Sequence, residues 1–149
     1  GLDYGEVFVL RNVANMVSPS DISSLAVIQY AVEVLQVKDI IVAGIMGVVE
    51  LSGGDQVRSW SALGLVVEVS RIRHKHAHAF AHLSTLDEKA KLLVEINVKE
   101  QVFNVASTTF VQKAWKDGKE LNIHGLVYDI ETGRLVDLHL TMHCIEQLP

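Results

Sequence analysis

Apolar residues fall into short β-branched runs near the start of the chain and at helical spacing between them. The run EVFVL at 6–10 predicts a buried strand, and the run IIVAG at 40–44 predicts a central parallel strand covered on both faces. Helix N-cap residues at 18–21 precede apolar positions at helical spacing, which predicts a helix over 21–36. Strand, helix and strand together predict a right-handed βαβ unit.

The second half alternates helical and strand patterns. Residues 71–82 read as helical, and Thr85 and Glu88 have the spacing of a capping box before a long helix. A second helix at 107–116 ends at Asp117-Gly118. Strands at 121–130 and 135–140, joined by a turn at 131–133, predict an antiparallel hairpin. Residues 52–55 predict a turn, and 56–70 match no pattern firmly. With no repeat or linker, residues 1–149 are expected to form a single α/β domain.

Composition narrows the class of protein. A chain of 149 residues with 49% apolar and 21% charged residues suits one folded domain. The net charge of -5 gives no electrostatic support for a nucleic-acid partner. The single cysteine, Cys144, excludes an internal disulfide and a multi-cysteine zinc module. No apolar run approaches the roughly 20 residues of a membrane-spanning helix. The compartment stays open between cytoplasm and organelle (mitochondrion or chloroplast).

Several motifs occur in the order found in one known family. Residues 5–15 (GEVFVLRNVAN) resemble the segment G-E/D-x-F-V-x-R-N-x-A-N of β-class carbonic anhydrases, and 124–130 (HGLVYDI) resemble their H-G-W-x-Y-D/G-I strand. Residues 24–32, 97–102 and 114–115 resemble helices of the same family. The resemblance covers nearly the whole chain, is weakest over 51–70, and is nearest to the bacterial and fungal branch. It implies an α/β fold with a mostly parallel sheet flanked by helices and a C-terminal antiparallel strand.

The resemblance also shows where this chain departs from the family. Family members bind zinc through two cysteines and one histidine, and zinc-bound hydroxide attacks CO2. The family motif V-C-G-H-x-x-C-G-G matches residues 42–50, where Ile45 stands at the histidine position and Val48 at the second cysteine position. Aliphatic side chains have no donor atom for a metal. We therefore expect no zinc cofactor and no catalytic residue, with Ile45 and Val48 as degenerate ligand positions.

The family's first cysteine lies in a C-x-D-S-R motif on a strand that precedes the segment matched by Gly1. In the family that strand lies inside the sheet, between the strands that match 6–10 and 40–44. The domain at 1–149 is therefore expected to be truncated at its N-terminus relative to the family. Three arrangements stay open: a rearranged sheet, a strand donated by another chain, or a natural protein longer than this sequence.

Each of the other candidate sites has both a functional and a structural interpretation. Arg11 and Tyr128 match two positions of a non-catalytic bicarbonate pocket in the bacterial branch, whose tryptophan partner is missing here; alternatively, Arg11 makes a structural ion pair and Tyr128 packs in the sheet. His74, His76, His78 and His82 have helical spacing, which suits either metal chelation or an exposed helix face. Cys144 matches no family ligand and is expected to be a half-buried thiol.

Three functions follow from the resemblance. The first is a non-catalytic homologue with a structural or protein-interaction role, in a homo- or hetero-oligomer or as a subunit of a larger assembly. The second is an active or formerly active carbonic anhydrase represented by an incomplete or altered chain. The third is a bicarbonate- or anion-binding regulator that uses Arg11 and Tyr128. Ala43, Val48 and Ala106 are also residues that deliberate cysteine removal would leave.

Overall fold

The computed structural model describes residues 3–46, 51–52, 56–57, 71–72 and 74–148. Four α-helices lie in these ranges, which we number α1 (Ile22–Glu33), α2 (Ala77–Ala81), α3 (Leu86–Ala106) and α4 (Thr109–Lys116). The strands are β1 (Asp39–Met46), β2 (Leu51–Ser52), β3 (Gln56–Val57), β4 (Asn122–Asp129) and β5 (Arg134–Met142). Short 3₁₀ turns cover Val13–Asn15 and Ile145–Gln147.

Three strands form a mixed sheet in the order β1-β4-β5. β1 runs parallel to β4, from Asp39 opposite Asn122 to Met46 opposite Asp129. β4 and β5 form the antiparallel hairpin expected from the sequence, with a register shift between Gly125 and Leu126. β2 and β3 pair with each other in a separate antiparallel ribbon. The fold is therefore an α/β fold, and its antiparallel hairpin lies where the sequence predicts it.

One hydrophobic core lies between the sheet and its helices. α3 crosses the sheet and buries Val98 and Val102 completely against it, while α1 contributes Ile28 and α4 contributes Val111 to the same core. α3 packs directly on β1 and β4, where Val42 is a buried residue of β1, and α1 packs against α4 in the same core. A smaller cluster joins Ile72, Phe80, Leu93 and Ile96 behind α3.

The helix boundaries follow from local capping chemistry. The Asp21 carboxylate accepts hydrogen bonds from the backbone N–H groups of Ser23 and Ser24, which begins α1 one residue later than predicted. Thr85 and Glu88 form the predicted capping box at the start of α3. α4 ends at Asp117, and Gly118 follows with a φ of 71°, a left-handed conformation that glycine adopts easily. The predictions for these three helices are confirmed.

The strand predicted at 6–10 is wrong. These residues are extended but belong to no strand, and Val7, Phe8 and Val9 are between 49% and 59% exposed. A β-strand is stable only beside a neighbour that takes up its backbone hydrogen bonds, and no described strand lies in that position. The predicted βαβ unit is therefore absent from the described part of the chain.

The position predicted for the strand at 40–44 is also wrong. β1 does pair in parallel, but it lies at the edge of the three-stranded sheet instead of its centre. Its alternate side chains point away from the core, and Ile41 and Ile45 are 59% and 50% exposed. α3 packs on the face of β1 that carries Val42, and the residues on the opposite face of β1 are exposed.

The prediction that 71–82 is helical is confirmed for most of its described residues. Residues 71–72 and 74–75 are helical, a turn at His76 interrupts the pattern, and α2 continues over Ala77–Ala81. Of the unassigned stretch 56–70, only Gln56 and Val57 are described. Among the described residues, no helix is both long and apolar enough to cross a membrane.

Candidate functional site

The carboxyl end of β1 carries the residue that stands at the family's histidine position. Ile45 lies opposite Tyr128 of β4, half exposed, and the next pair is Met46 opposite Asp129. Val48, the other degenerate ligand position, lies outside the described residues. Open α/β sheets bind ligands at the carboxyl ends of their parallel strands, so this end is the place to look for a site.

A loop of unusual backbone conformation lies beside this end of the sheet. Ala14 and Asn15 both have left-handed φ values, 59° and 46°, which cost free energy for residues other than glycine. The Asn15 carboxamide oxygen lies 3.7 Å from the position that a Cβ at Gly44 would occupy. The loop therefore packs directly on the carboxyl end of β1, near Gly44. Because its backbone conformation costs free energy, other contacts must hold it there.

Two amide side chains of α3 hold the loop. Asn97 donates from Nδ2 to the carbonyl oxygen of Ala14 at 2.9 Å, and the N–H of Val17 donates to Oε1 of Gln101 at 2.8 Å. Gln101 also donates to Asn97 Oδ1 and accepts from Asn104, which makes a chain of amides along one helix. Sequence reasoning missed this chain, although three amides at helical spacing among apolar residues could have indicated it.

One polar atom at this end has no hydrogen-bond partner among the described residues. The side-chain nitrogen of Asn15 is buried, and no atom in the described part of the chain accepts a hydrogen bond from it. A buried donor without an acceptor costs about 1–3 kcal/mol, so a group that accepts a hydrogen bond from this nitrogen would be stabilising. It offers nothing to a metal cation, because an amide N–H is a donor.

The described side chains do not fit a cysteine and histidine zinc site near Ile45. Cys144 follows Met142, which pairs with Ile123 at the opposite end of β4. Ile123 and Tyr128 are five strand positions apart, roughly 16 Å at the rise of a strand. The Asp129 carboxylate lies close by, but it accepts hydrogen bonds from Glu131 N and Thr132 Oγ1. Across the described residues, no three His, Cys, Asp or Glu side chains lie together so that they could hold a metal.

His124 belongs to a polar network at the amino ends of the strands. One ring nitrogen lies 3.1 Å from Asp39 Oδ1 and the other lies 3.0 Å from Thr141 Oγ1. The hydrogen bond from Asn122, followed by that from His124, holds the pKa of Asp39 below its ordinary value. Because the network links β1, β4 and β5, it helps to fix the register of these strands. It lies far from Ile45 along the sheet.

Arg11 and Tyr128 are not brought together by any described contact. Arg11 lies in the exposed segment after 6–10, where no hydrogen bond or ion pair joins it to another described residue. Tyr128 is 39% exposed on the uncovered face of β4. The bicarbonate pocket therefore stays a prediction.

The histidine cluster is divided between two environments. His78 and His82 lie edge to face, with ring centroids 5.2 Å apart, on an exposed part of α2 and its C-terminal end. His76 instead lies 3.4 Å from the Glu100 carboxylate of α3, which Lys75 also contacts at 2.5 Å. Partial burial alone would raise the pKa of Glu100, but hydrogen bonds from Lys75 and His76 outweigh it and lower the pKa. This cluster attaches the 74–76 segment to α3.

Two adjoining clefts share Val17 and Pro19 in their walls. One, of about 260 Å³, is lined by Leu25, Thr108 and Phe110 among others, and the second, of about 360 Å³, is lined by Arg71, Gln101 and Asn104 among others. Neither cleft includes Ile45 or Tyr128, so neither coincides with the degenerate ligand positions.

The comparisons with known proteins find carbonic anhydrases. A family model described as "Carbonic anhydrase" matches residues 1–135. The chain is 36% identical to a carbonic anhydrase of Emericella nidulans, over 94% of this chain and 62% of the relative. It is 35% identical to a carbonic anhydrase of Pseudomonas aeruginosa, over 88% of this chain and 61% of the relative. The chain thus spans less than two thirds of the length of these relatives.

Solved structures give the same result. The β-carbonic anhydrase of Coccomyxa, described in complex with acetazolamide, superimposes with a TM-score of 0.83 at 34% identity, over 96% of this chain and 65% of that one. A β-carbonic anhydrase of Sordaria macrospora, described as tetrameric, gives a TM-score of 0.80 at 28% identity, over 95% of this chain and 72% of that one.

Proposed function

This chain belongs to the β-class carbonic anhydrase family, and from that premise we propose that it is a non-catalytic member with a structural or protein-interaction role. One observation carries the proposal. The position where the family places a zinc-binding histidine is occupied by Ile45, at the end of a strand whose register with β4 is regular along all eight pairs.

The reasoning depends on what zinc supplies. Bound zinc lowers the pKa of its water to about 7, which makes hydroxide available as a nucleophile near neutral pH. Ile45 and Val48 have no donor atoms, and the single cysteine of the chain lies at the far end of the sheet. The side chains near Ile45 that do carry donors, Tyr128 and Asp129, are the wrong set for a thiolate and imidazole site.

The proposed role requires a binding partner, and we propose that the chain binds this partner within an oligomer. The relative from Sordaria macrospora is described as tetrameric. For this chain we propose assembly with itself or with another subunit. The net charge of -5 argues against nucleic acid as the partner.

Metal content and activity test the proposal together. The purified 149-residue chain, without a histidine tag, is incubated with excess zinc, dialysed and analysed by mass spectrometry of the metal. CO2 hydration is then followed by stopped-flow. We expect substoichiometric zinc and a hydration rate equal to that of buffer. A His78→Ala, His82→Ala double variant is the control that removes zinc held weakly by surface imidazoles.

Stoichiometric zinc with measurable hydration would overturn the proposal. It would favour the alternative of an active carbonic anhydrase, represented here by an incomplete or altered chain.

A second candidate function is anion binding at Arg11. The guanidinium lies in an exposed segment without a carboxylate partner among the described residues, and its planar fork suits a planar oxyanion such as bicarbonate. A bicarbonate titration followed by calorimetry would compare the chain with Arg11→Ala and Tyr128→Phe. Weaker binding in both variants supports a pocket shared by the two residues, whereas unchanged binding rejects it.

A further inference from the structure

The exposed side of α2 carries a pair of histidines that the proposed function does not use. His78 and His82 are four residues apart, so they lie one above the other along the helix. Each is two positions from Phe80, which is buried in a small cluster with Ile72 and residues of α3. Two positions turn a helix by about 200°, so both imidazoles point away from the buried side. The packing of Phe80 therefore presents the pair to solvent.

The separation of the two rings suits a single metal ion. Their centroids are 5.2 Å apart, with the ring planes at 84° to each other. A zinc ion lies about 2.1 Å from an imidazole nitrogen, and the ring centre lies roughly 1 Å behind that nitrogen. Two imidazoles on one tetrahedral ion therefore have centroids about 5 Å apart. Rotation of the exposed rings about χ2 brings one nitrogen of each to the ion without a change in the backbone.

The other histidines lack a neighbouring imidazole among the described residues. His76 contacts the Glu100 carboxylate at 3.4 Å, and its turn interrupts the helix before His78. Both ring nitrogens of His124 already lie within 3.1 Å of an oxygen atom on a neighbouring strand. In the described part of the chain, His78 and His82 are the two histidines whose rings are in contact.

We propose that His78 and His82 bind one divalent transition-metal ion of the kind that prefers imidazole, such as zinc, copper or nickel. Calcium and magnesium prefer oxygen ligands, so the pair discriminates against them. Two histidines fill two of the four positions of a tetrahedral ion, and water or donor groups of another molecule complete it. The site is therefore open and reversible, and it uses none of the positions that match the family's zinc ligands.

A bound ion would also act on the helix that holds it. α2 is five residues long, and helices of this length are not stable on their own in water. An ion held by residues four apart closes one helical turn, so it favours the helical form over an unwound one. The ion lies in the last turn of α2, where the negative end of the helix dipole favours a cation. We expect this turn to be better protected in the metal-bound chain.

Calorimetric titration of the untagged chain with zinc chloride gives the first test. We expect one equivalent of zinc to bind and magnesium chloride to give no binding. His78→Ala and His82→Ala should each weaken zinc binding about tenfold or more, because each variant loses the chelate. Both side chains are exposed and alanine favours a helix, so the variants should fold, which circular dichroism verifies.

Two other exposed histidines supply matched controls. His74→Ala removes an imidazole on the other side of the turn at His76, and His139→Ala removes one that is 90% exposed on β5. Both variants should bind zinc as the parent chain does. An equal loss in His74→Ala would overturn the two-residue site. Several weak equivalents that no single variant removes would show an adventitious ion only, and would overturn it too.

Hydrogen exchange gives the second test and locates the ion. The N–H of Leu83 donates to the Phe80 carbonyl oxygen at 3.2 Å, directly after the proposed metal-bound turn. Zinc should slow the exchange of the amides at 81–83 in the parent chain and leave them unchanged in His78→Ala. Zinc binding without slower exchange in the parent chain would place the ion elsewhere and overturn the proposal.

This proposal and the non-catalytic role fail separately. Stoichiometric zinc and CO2 hydration that persist in the His78→Ala, His82→Ala double variant would overturn the non-catalytic role alone. A chain that binds no zinc in the titration would overturn the histidine site alone.

Discussion

Asn97, in the middle of α3, donates a hydrogen bond to the carbonyl oxygen of Ala14, a residue with left-handed φ, across 83 positions of the chain. The contact is 2.9 Å long and partly buried, and it fixes the loop that packs on the carboxyl end of β1. The geometry of this end of the sheet therefore depends on the side chain of Asn97, together with that of Gln101, which holds Val17. That dependence can be measured.

Asn97→Ala should destabilise the fold by about 2 kcal/mol, because it removes the hydrogen-bond partner of the buried Gln101 side-chain nitrogen and that of the Ala14 carbonyl oxygen. Urea unfolding measures the change as a lower midpoint at an unchanged slope. Asn104→Ala is the control, since Asn104 is only partly buried and accepts nothing from Gln101. Equal destabilisation by the two variants would contradict the assignment.

Gly44→Ala should destabilise the fold by about 1–3 kcal/mol through overpacking. A Cβ at this position would lie 2.6 Å from Val98 Cγ2 and 3.0 Å from Val94 Cγ1. Gly125→Ala is the matched control on β4, because its new Cβ would lie 3.3 Å and 3.4 Å from its nearest neighbours. We expect Gly125→Ala to cost clearly less in thermal unfolding.

A double-mutant cycle verifies the cause of the Gly44 effect. Val98→Ala removes the methyl group that the new Cβ meets, so Gly44→Ala with Val98→Ala should be less destabilised than the sum of the single variants. Additive costs would show that the effect has another origin.

Glu100→Gln should lower the free energy of unfolding at pH 7 by about 1 kcal/mol. The variant removes the charge-assisted hydrogen bonds that the mostly buried Glu100 carboxylate makes with Lys75 and His76. The pKa of Glu100 is lowered in the folded protein, so its contribution is present above the ordinary value of 4.5 and is lost as the pH falls through the folded value. The difference between variant and parent should therefore shrink below that pH.

Glu120→Gln serves as the comparison for the Glu100 variant. Glu120 pairs with Lys38 at 3.2 Å, but both side chains are about 70% exposed, and such pairs contribute little. A pH-independent difference for Glu100→Gln, or an equal effect of Glu120→Gln, would contradict the buried pairing.

Sequence reasoning succeeded where structure is determined locally. The Asp21 cap, the Thr85–Glu88 capping box and the turn between β4 and β5 are short-range features, and each lies where its residues predict. The resemblance to the carbonic anhydrase family was also correct, because it rested on separate motifs along most of the chain. These features do not depend on which strands lie next to each other.

The errors concern features that depend on neighbours. The run at 6–10 has the composition of a buried strand, but burial requires a paired strand beside it, and composition does not supply one. Among the described strands, β1 likewise pairs on one side only, with β4. Asn97 and Gln101 look like ordinary helix polar residues, and only the fold shows that they hold a left-handed loop. The absence of zinc and the pairing of Arg11 with Tyr128 stay predictions.

The parallel pairing of β1 with β4 also has a kinetic consequence. It joins Asp39 to Asn122, 83 positions away, whereas β4 and β5 meet across a short turn. Closing a long loop is entropically expensive and tends to come late, after contacts that are near in sequence. We expect the hairpin and the helices around it to form the nucleus and β1 to dock last. Substitutions in β1 should then speed unfolding while leaving the refolding rate nearly unchanged, which stopped-flow chevrons would show.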